Sequence, residues 1–131
     1  MVCLDTSFII DILRGDESAI TLKEELEKTS EGITIATPTI IELIRGLNSV
    51  NVRKDEKDTI HHFVRNVPSL SLDKESALIS GNIDLDLTTK GEKIQIEDVM
   101  IAAIVLSNNE VLLTKNIKHF SRIDGLNVQG Y

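Results

Sequence analysis

Asp5 closes the apolar run VCL, Glu42 lies inside TPTIIELIRGL, and Asp98 stands just ahead of the apolar stretch VMIAAIVL. Carboxylates gathered at one site repel. Two unit charges about 4 Å apart cost about 4 kcal/mol at an effective dielectric near 20, which is close to three pKa units. Such a cluster must bind protons or a cation. The oxygens within chain reach are the Thr6 and Ser7 hydroxyls after Asp5, and Thr114 and the Asn116 amide after the run VLL. An all-oxygen set without Cys or His points to Mg2+ or Mn2+ and away from zinc.

Taken singly, each of these residues has an ordinary use. Asp, Thr and Ser are all good helix N-caps, so Asp5, Thr6 or Ser7 could simply start a helix, and Asn116 could cap a short one after VLL. At 100° per residue Ile40, Ile41, Leu43, Ile44 and Leu47 share an apolar face, and Glu42 falls opposite its centre, as a solvated residue would. Asp98 sits in a first helical turn, where the helix dipole favours any carboxylate. Glu97 beside it reads as a solvated first-turn acid. The residues after Asp98 are apolar on every side, which marks a helix buried all round, whose N-terminus must open at a defined place.

Those segments need a scaffold to meet. Short apolar runs at 2–4, 33–36, 70–72, 111–113 and 126–128 have strand length, and helical patterns separate them. The alternation predicts an α/β fold: three layers, α/β/α, around a mainly parallel sheet of roughly five strands. Helices are expected from Thr6 or Ser7 to near Gly15, about Glu17 to Thr29, Thr37 to near Gly46 with Pro38 in the first turn, Asp55 to Asn66, Asp73 to Thr89 and Glu97 to Ser107. In open parallel sheets ligands bind beyond the carboxyl ends of the strands. Asp5, the helix bearing Glu42, and Thr114 to Asn116 all follow such ends.

The 131 residues, 41% of them hydrophobic, suit one domain spanning 1–131. The run MIAAIVL at 100–106 is far short of the roughly 20 residues that cross a bilayer, so the chain reads as soluble and cytoplasmic. Cys3 is the sole cysteine, lies in an apolar run, and is expected to fill the core. A net charge of −7 argues against broad adhesion to nucleic acid. KNIKHFSR at 115–122 reverses that balance locally, with Lys115, Lys118, His119 and Arg122 and no acid. Those four are either a solvated face or contacts for phosphates. His61 and His62 point about 100° apart on a helix and do not chelate together, and Asp84 and Asp86 read as solvent charges.

Four segments together resemble the PIN-domain ribonucleases, and within them the VapC-type toxins of toxin–antitoxin pairs: LDTSFIIDILRG, TIIELIRG, GEKIQIEDVMIAA and VLLTKNIKHFSRIDGLNV. The resemblance covers nearly the whole chain. It implies a Mg2+- or Mn2+-dependent endoribonuclease with Asp5, Glu42 and Asp98 as acidic metal-site residues and with Thr6 or Ser7 and Thr114 nearby. It also implies an RNA substrate, a cognate antitoxin and a homodimer, with no membrane association. Asn116 stands where many PIN domains carry a fourth acid. It would bring an oxygen but no charge, so a second ion would be held less tightly.

Two other classes compete. A phosphoaspartate protein, receiver or phosphatase-like, would also end a parallel strand in Asp5 and could use Lys115, but the phosphatase pattern expects a second Asp where Ser7 stands. A PIN-fold binding module without metal is the other, and Asn116 is the residue that favours it.

Overall fold

The computed structural model describes residues 1–48 and 51–131. Five strands, β1 (Val2–Leu4), β2 (Ile33–Ala36), β3 (Ser69–Leu70), β4 (Val111–Leu113) and β5 (Val128–Gln129), form one sheet in the order β3-β2-β1-β4-β5. Every pairing is parallel, with Val2 opposite both Ile33 and Val111 and with Leu4 opposite Leu113. Parallel strands need crossovers, and among the described residues seven helices supply them: α1 (Thr6–Leu13), α2 (Glu17–Lys28), α3 (Thr37–Gly46), α4 (Lys54–Asn66), α5 (Lys74–Thr89), α6 (Ile96–Ser107) and α7 (Ile117–Phe120).

The period-two alternation of the strands sorts the core onto two faces. Val2, Leu4, Ile35 and Leu113 pack with Phe8, Ile9, Leu43 and Ile60, whereas Cys3, Ala36 and Leu112 pack with Leu87, Ile101, Ile104 and Phe120. The result is the expected α/β/α sandwich, with Cys3 fully buried as filler. In α6, Val99, Ile101, Ala102, Ala103, Ile104 and Val105 are all fully buried, each large side chain contributing about 2 kcal/mol. Beyond its partly exposed first turn this helix is buried nearly all round. Among the described residues no helix is long and apolar enough to cross a membrane.

Helix ends differ from the sequence expectation in instructive ways. Asp5, not Thr6 or Ser7, occupies the N-cap position of α1, yet its side chain caps nothing. Ala36 holds the N-cap position of α3, and the Thr37 hydroxyl instead accepts the Leu72 N–H at 3.3 Å. Asn116 occupies the N-cap position of α7, also without a capping side-chain bond. At the far end of α1, Gly15 takes φ +80°, and the Gly15 and Asp16 N–H groups return to the Ile12 and Asp11 carbonyls. That left-handed closure places Asp16 to cap α2 at once through Ala19 N–H, 2.9 Å away.

The two edge strands are displaced from their expected positions, with β3 at 69–70 and β5 at 128–129 instead of 70–72 and 126–128. The strand order also removes the receiver alternative, whose sheet runs 2-1-3-4-5. Here the order reverses between β1 and β4, and the crevice at that switch point is where Asp5 and Thr114 emerge.

Candidate active site

Asp5 continues β1 by one residue: its N–H bonds the Leu113 carbonyl at 3.0 Å, extending the ladder to β4. Its side chain, 3% exposed, turns across the same seam and accepts the Thr114 hydroxyl at 2.7 Å and the Ser7 hydroxyl at 3.4 Å. Thr114, fully buried, also accepts the Asn116 N–H at 3.0 Å, and Ser7 accepts the Lys115 N–H at 3.3 Å. The loop after β4 is therefore lashed to the start of α1 through two hydroxyls, with Asp5 at the centre.

Glu42 reaches this point from α3, and here the helical wheel misled. The buried face of α3 runs through Thr39, Leu43 and Leu47, while Ile41 and Ile44 are 58% and 36% exposed. Glu42 sits beside that face, half-buried, and its Oε1 is enclosed without a hydrogen-bond partner. The buried Thr6 hydroxyl faces it and eases its charge, yet closes no hydrogen bond. Asp98, in the first turn of α6, is half-buried as well. Glu97 is not a free surface acid, because it meets Arg45 of α3 at 3.6 Å and joins the two helices that carry Glu42 and Asp98.

Electrostatics tie the three acids together. Burial, and then the charges of Asp5 and Asp98, push the Glu42 carboxyl up to about 7. Asp98 is raised by burial and by Asp5, with His119 opposing. Asp5 is raised by burial, against the pull of its Thr114 hydrogen bond. The acids thus share one rim, though not as the tight cluster expected from sequence: among the described residues no three His, Cys, Asp or Glu side chains stand close enough to hold an ion between them. The donor chemistry nonetheless fits a hard divalent cation. All donors are oxygens, Glu42 Oε1 and the Thr6 hydroxyl are buried without partners, and Mg2+ characteristically binds one or two carboxylates while keeping several waters.

The basic segment is less free than its sequence suggests. Lys115 is paired with Asp11 at 3.2 Å, and Arg122 donates to the Glu92 carbonyl at 3.3 Å. Lys118 and His119 are exposed on α7, and His119 is near enough to Asp98 to act on its charge. Sequence reasoning missed Asp11 and Tyr131, whose hydroxyl donates to Asp11 at 2.8 Å. Asp11 could have been noticed four residues after Ser7 on one helix face. Nothing in the sequence marks Tyr131. His61 and His62 are exposed on α4, apart from this site.

The raised carboxyls carry a pH dependence. Between Glu42's ordinary value of 4.5 and its folded value of about 7, the native state keeps a proton that the unfolded chain has released. Its contribution to stability is therefore largest on the acid side of that window and falls as pH rises through about 7. In chelator, the melting temperature is expected to decline from pH 5.5 to 8, and Glu42→Gln to flatten part of that decline. An unchanged slope in the Gln variant would dissociate Glu42 from it.

Residues 2–126 match the PIN domain. A tRNA(fMet)-specific endonuclease VapC of Salmonella typhimurium is 26% identical over 128 residues, covering 98% of this chain and 96% of that one. Ribonuclease VapC19 of Mycobacterium tuberculosis is 29% identical over 120 residues, 92% of each. Among solved structures, DNA-bound VapBC from Salmonella typhimurium superimposes with a TM-score of 0.84 at 27% identity, covering 98% of this chain and 96% of that one.

Proposed function

The chain belongs to the PIN-domain family, and from that membership we propose that it is a divalent-metal-dependent endoribonuclease, the toxin of a VapBC-like toxin–antitoxin module. The observation that carries this reading is the convergence of Asp5, Glu42 and Asp98 on the β1–β4 crevice, where each carboxyl is raised by burial and two of them by a neighbouring acid's charge. The nuclease names of its relatives and the antitoxin complexes among its structural neighbours support it.

In this reading Asp5, Glu42 and Asp98 would share Mg2+ or Mn2+, one or two of them directly and the rest through the waters the ion keeps, with the Asn116 amide as a further oxygen donor. The ion, when bound, supplies Lewis-acid polarisation of the scissile phosphoryl group and lowers the pKa of water for attack. The chain's own residues do the rest. Thr114 and Ser7 hold the Asp5 carboxylate in one orientation, so that its charge is preorganised before a cation arrives. Glu42, with a pKa of about 7 before any cation binds, is the carboxyl nearest to exchanging a proton at neutral pH. Lys115, Lys118 and Arg122 offer positive charge, and the His119 imidazole a hydrogen-bonding ring, for RNA phosphates, and no side-chain nucleophile is required. The antitoxin and a second copy of the chain complete the expected assembly, and a cytoplasmic location follows from the same reading.

Purified chain incubated with RNA is expected to produce discrete cuts with Mg2+ or Mn2+ and none with chelator, cutting being restored by returning the ion. Cleavage that persists undiminished in chelator would refute the metal-dependent reading.

A further inference from the structure

Lys115 is fastened at both ends. Its N–H bonds the Ser7 hydroxyl at 3.3 Å, and its ammonium lies 3.2 Å from Asp11 Oδ2. Ser7 and Asp11 are one helical turn apart on α1, so they project from the same face. Asp11 is itself fixed, because its Oδ2 also accepts the Tyr131 hydroxyl at 2.8 Å. The Tyr131 ring in turn meets Phe8 edge-on, with centroids 5.0 Å apart and planes at 75°, and Phe8 is fully buried.

A lone exposed lysine–carboxylate pair holds little geometry. This pair differs in that the carboxylate side is largely enclosed, at 16% side-chain exposure, while the lysine side is open at 59%. The Tyr131 hydrogen bond, followed by the pull of Lys115, holds the Asp11 carboxyl below its ordinary range, so it remains a full charge. Burial pushes the Tyr131 phenol up, so it remains a neutral donor. Of the three N–H donors of the ammonium, Asp11 uses one and leaves two for solvent or a ligand.

We propose that Asp11 and Tyr131 are positioning residues for Lys115, holding its ammonium one helical turn along α1 from Ser7, the Asp5 partner, so that it meets an RNA phosphate already oriented. The inference rests on the ribonuclease reading above. Lysine has one of the largest side-chain entropies to lose on binding, and here that loss is incurred in folding, before RNA arrives.

A direct test exploits a conflict of sign. Asp11→Asn takes the net charge from −7 to −6, which by overall electrostatics alone would tighten binding of a polyanion. Positioning requires the reverse. With the full chain, Mg2+ and a short single-stranded RNA, Asp11→Asn is expected to raise KM about fivefold with kcat held within about twofold. Lys115→Ala should do the same, Tyr131→Phe should raise KM about twofold, and Asp11→Asn should add nothing in the Lys115→Ala background. The same ranking should appear in Kd by fluorescence anisotropy of the RNA in chelator. Lower or unchanged KM and Kd in Asp11→Asn, or a full rise that persists without Lys115, overturns the proposal. A parent chain that binds RNA without cutting it under any divalent ion counts against the ribonuclease reading alone, and the anisotropy ranking then still decides the role of Asp11.

Discussion

Asp5→Asn is expected to slow RNA cleavage about a thousandfold, or about 4 kcal/mol of transition-state stabilisation, without lowering the melting temperature. The two halves of that expectation have one cause. Asp5 is 3% exposed, and its carboxyl is raised because burial disfavours its charge; that charge in turn raises both Glu42 and Asp98. The amide keeps an oxygen to accept the Thr114 hydroxyl, now at 2.7 Å, and removes a charge that destabilises the metal-free fold. Stability in chelator at pH 7.5 should therefore match or exceed that of the parent chain. Single-turnover cleavage at saturating Mg2+ and thermal melts in chelator measure the two halves. Parental cleavage would remove Asp5 from the chemistry, and a large loss of stability would mean that its charge is satisfied in the native state.

Thr114→Val should behave in the opposite way on stability. Valine fills the same space but leaves the buried Asp5 carboxylate without its 2.7 Å donor and the Asn116 N–H without its 3.0 Å acceptor. Leaving buried polar and charged partners unsatisfied costs about 2–4 kcal/mol, which corresponds to a fall of about 10 °C in a domain of this size. Cleavage is expected to drop about a hundredfold as the loop after β4 and the Asp5 carboxylate lose their common register. Thr114→Ser, which restores the hydroxyl, should recover most of both. If the Val variant melts with the parent chain, the hydroxyl bridge is not what holds the seam.

The sequence carried the central strands and the helices well, and the reason is visible in their packing. VCL, ITIA and VLL are buried by their neighbours, so their own apolarity marks them. The edge strands β3 and β5 are two residues each, positioned by ladder partners such as Ile35 opposite Ser69 and Leu113 opposite Gln129, not by hydrophobic content. Residue types gave Asp5, Glu42 and Asp98 through family resemblance, while periodicity alone pointed Glu42 to solvent. The wheel assumed that all five apolar residues of α3 face one core. Ile41 and Ile44 do not, and a wheel has no means to tell a core face from a surface left open. The spacing of Asp11 from Ser7 marks a shared helix face but not its pairing with Lys115, and the Glu92 carbonyl that meets Arg122 has no mark at all, since both contacts form only on folding.

One consequence follows from the bond between Asp5 and Thr114, which joins residues 109 positions apart. A nascent polypeptide that has exposed its first strand still lacks the neighbour on one flank of that strand until Val111–Leu113 have left the ribosome. Contacts of such long sequence separation form late. The Asp5 carboxylate therefore gains its Thr114 donor only once synthesis has advanced 109 positions beyond it, and a product truncated before Thr114 lacks that bond.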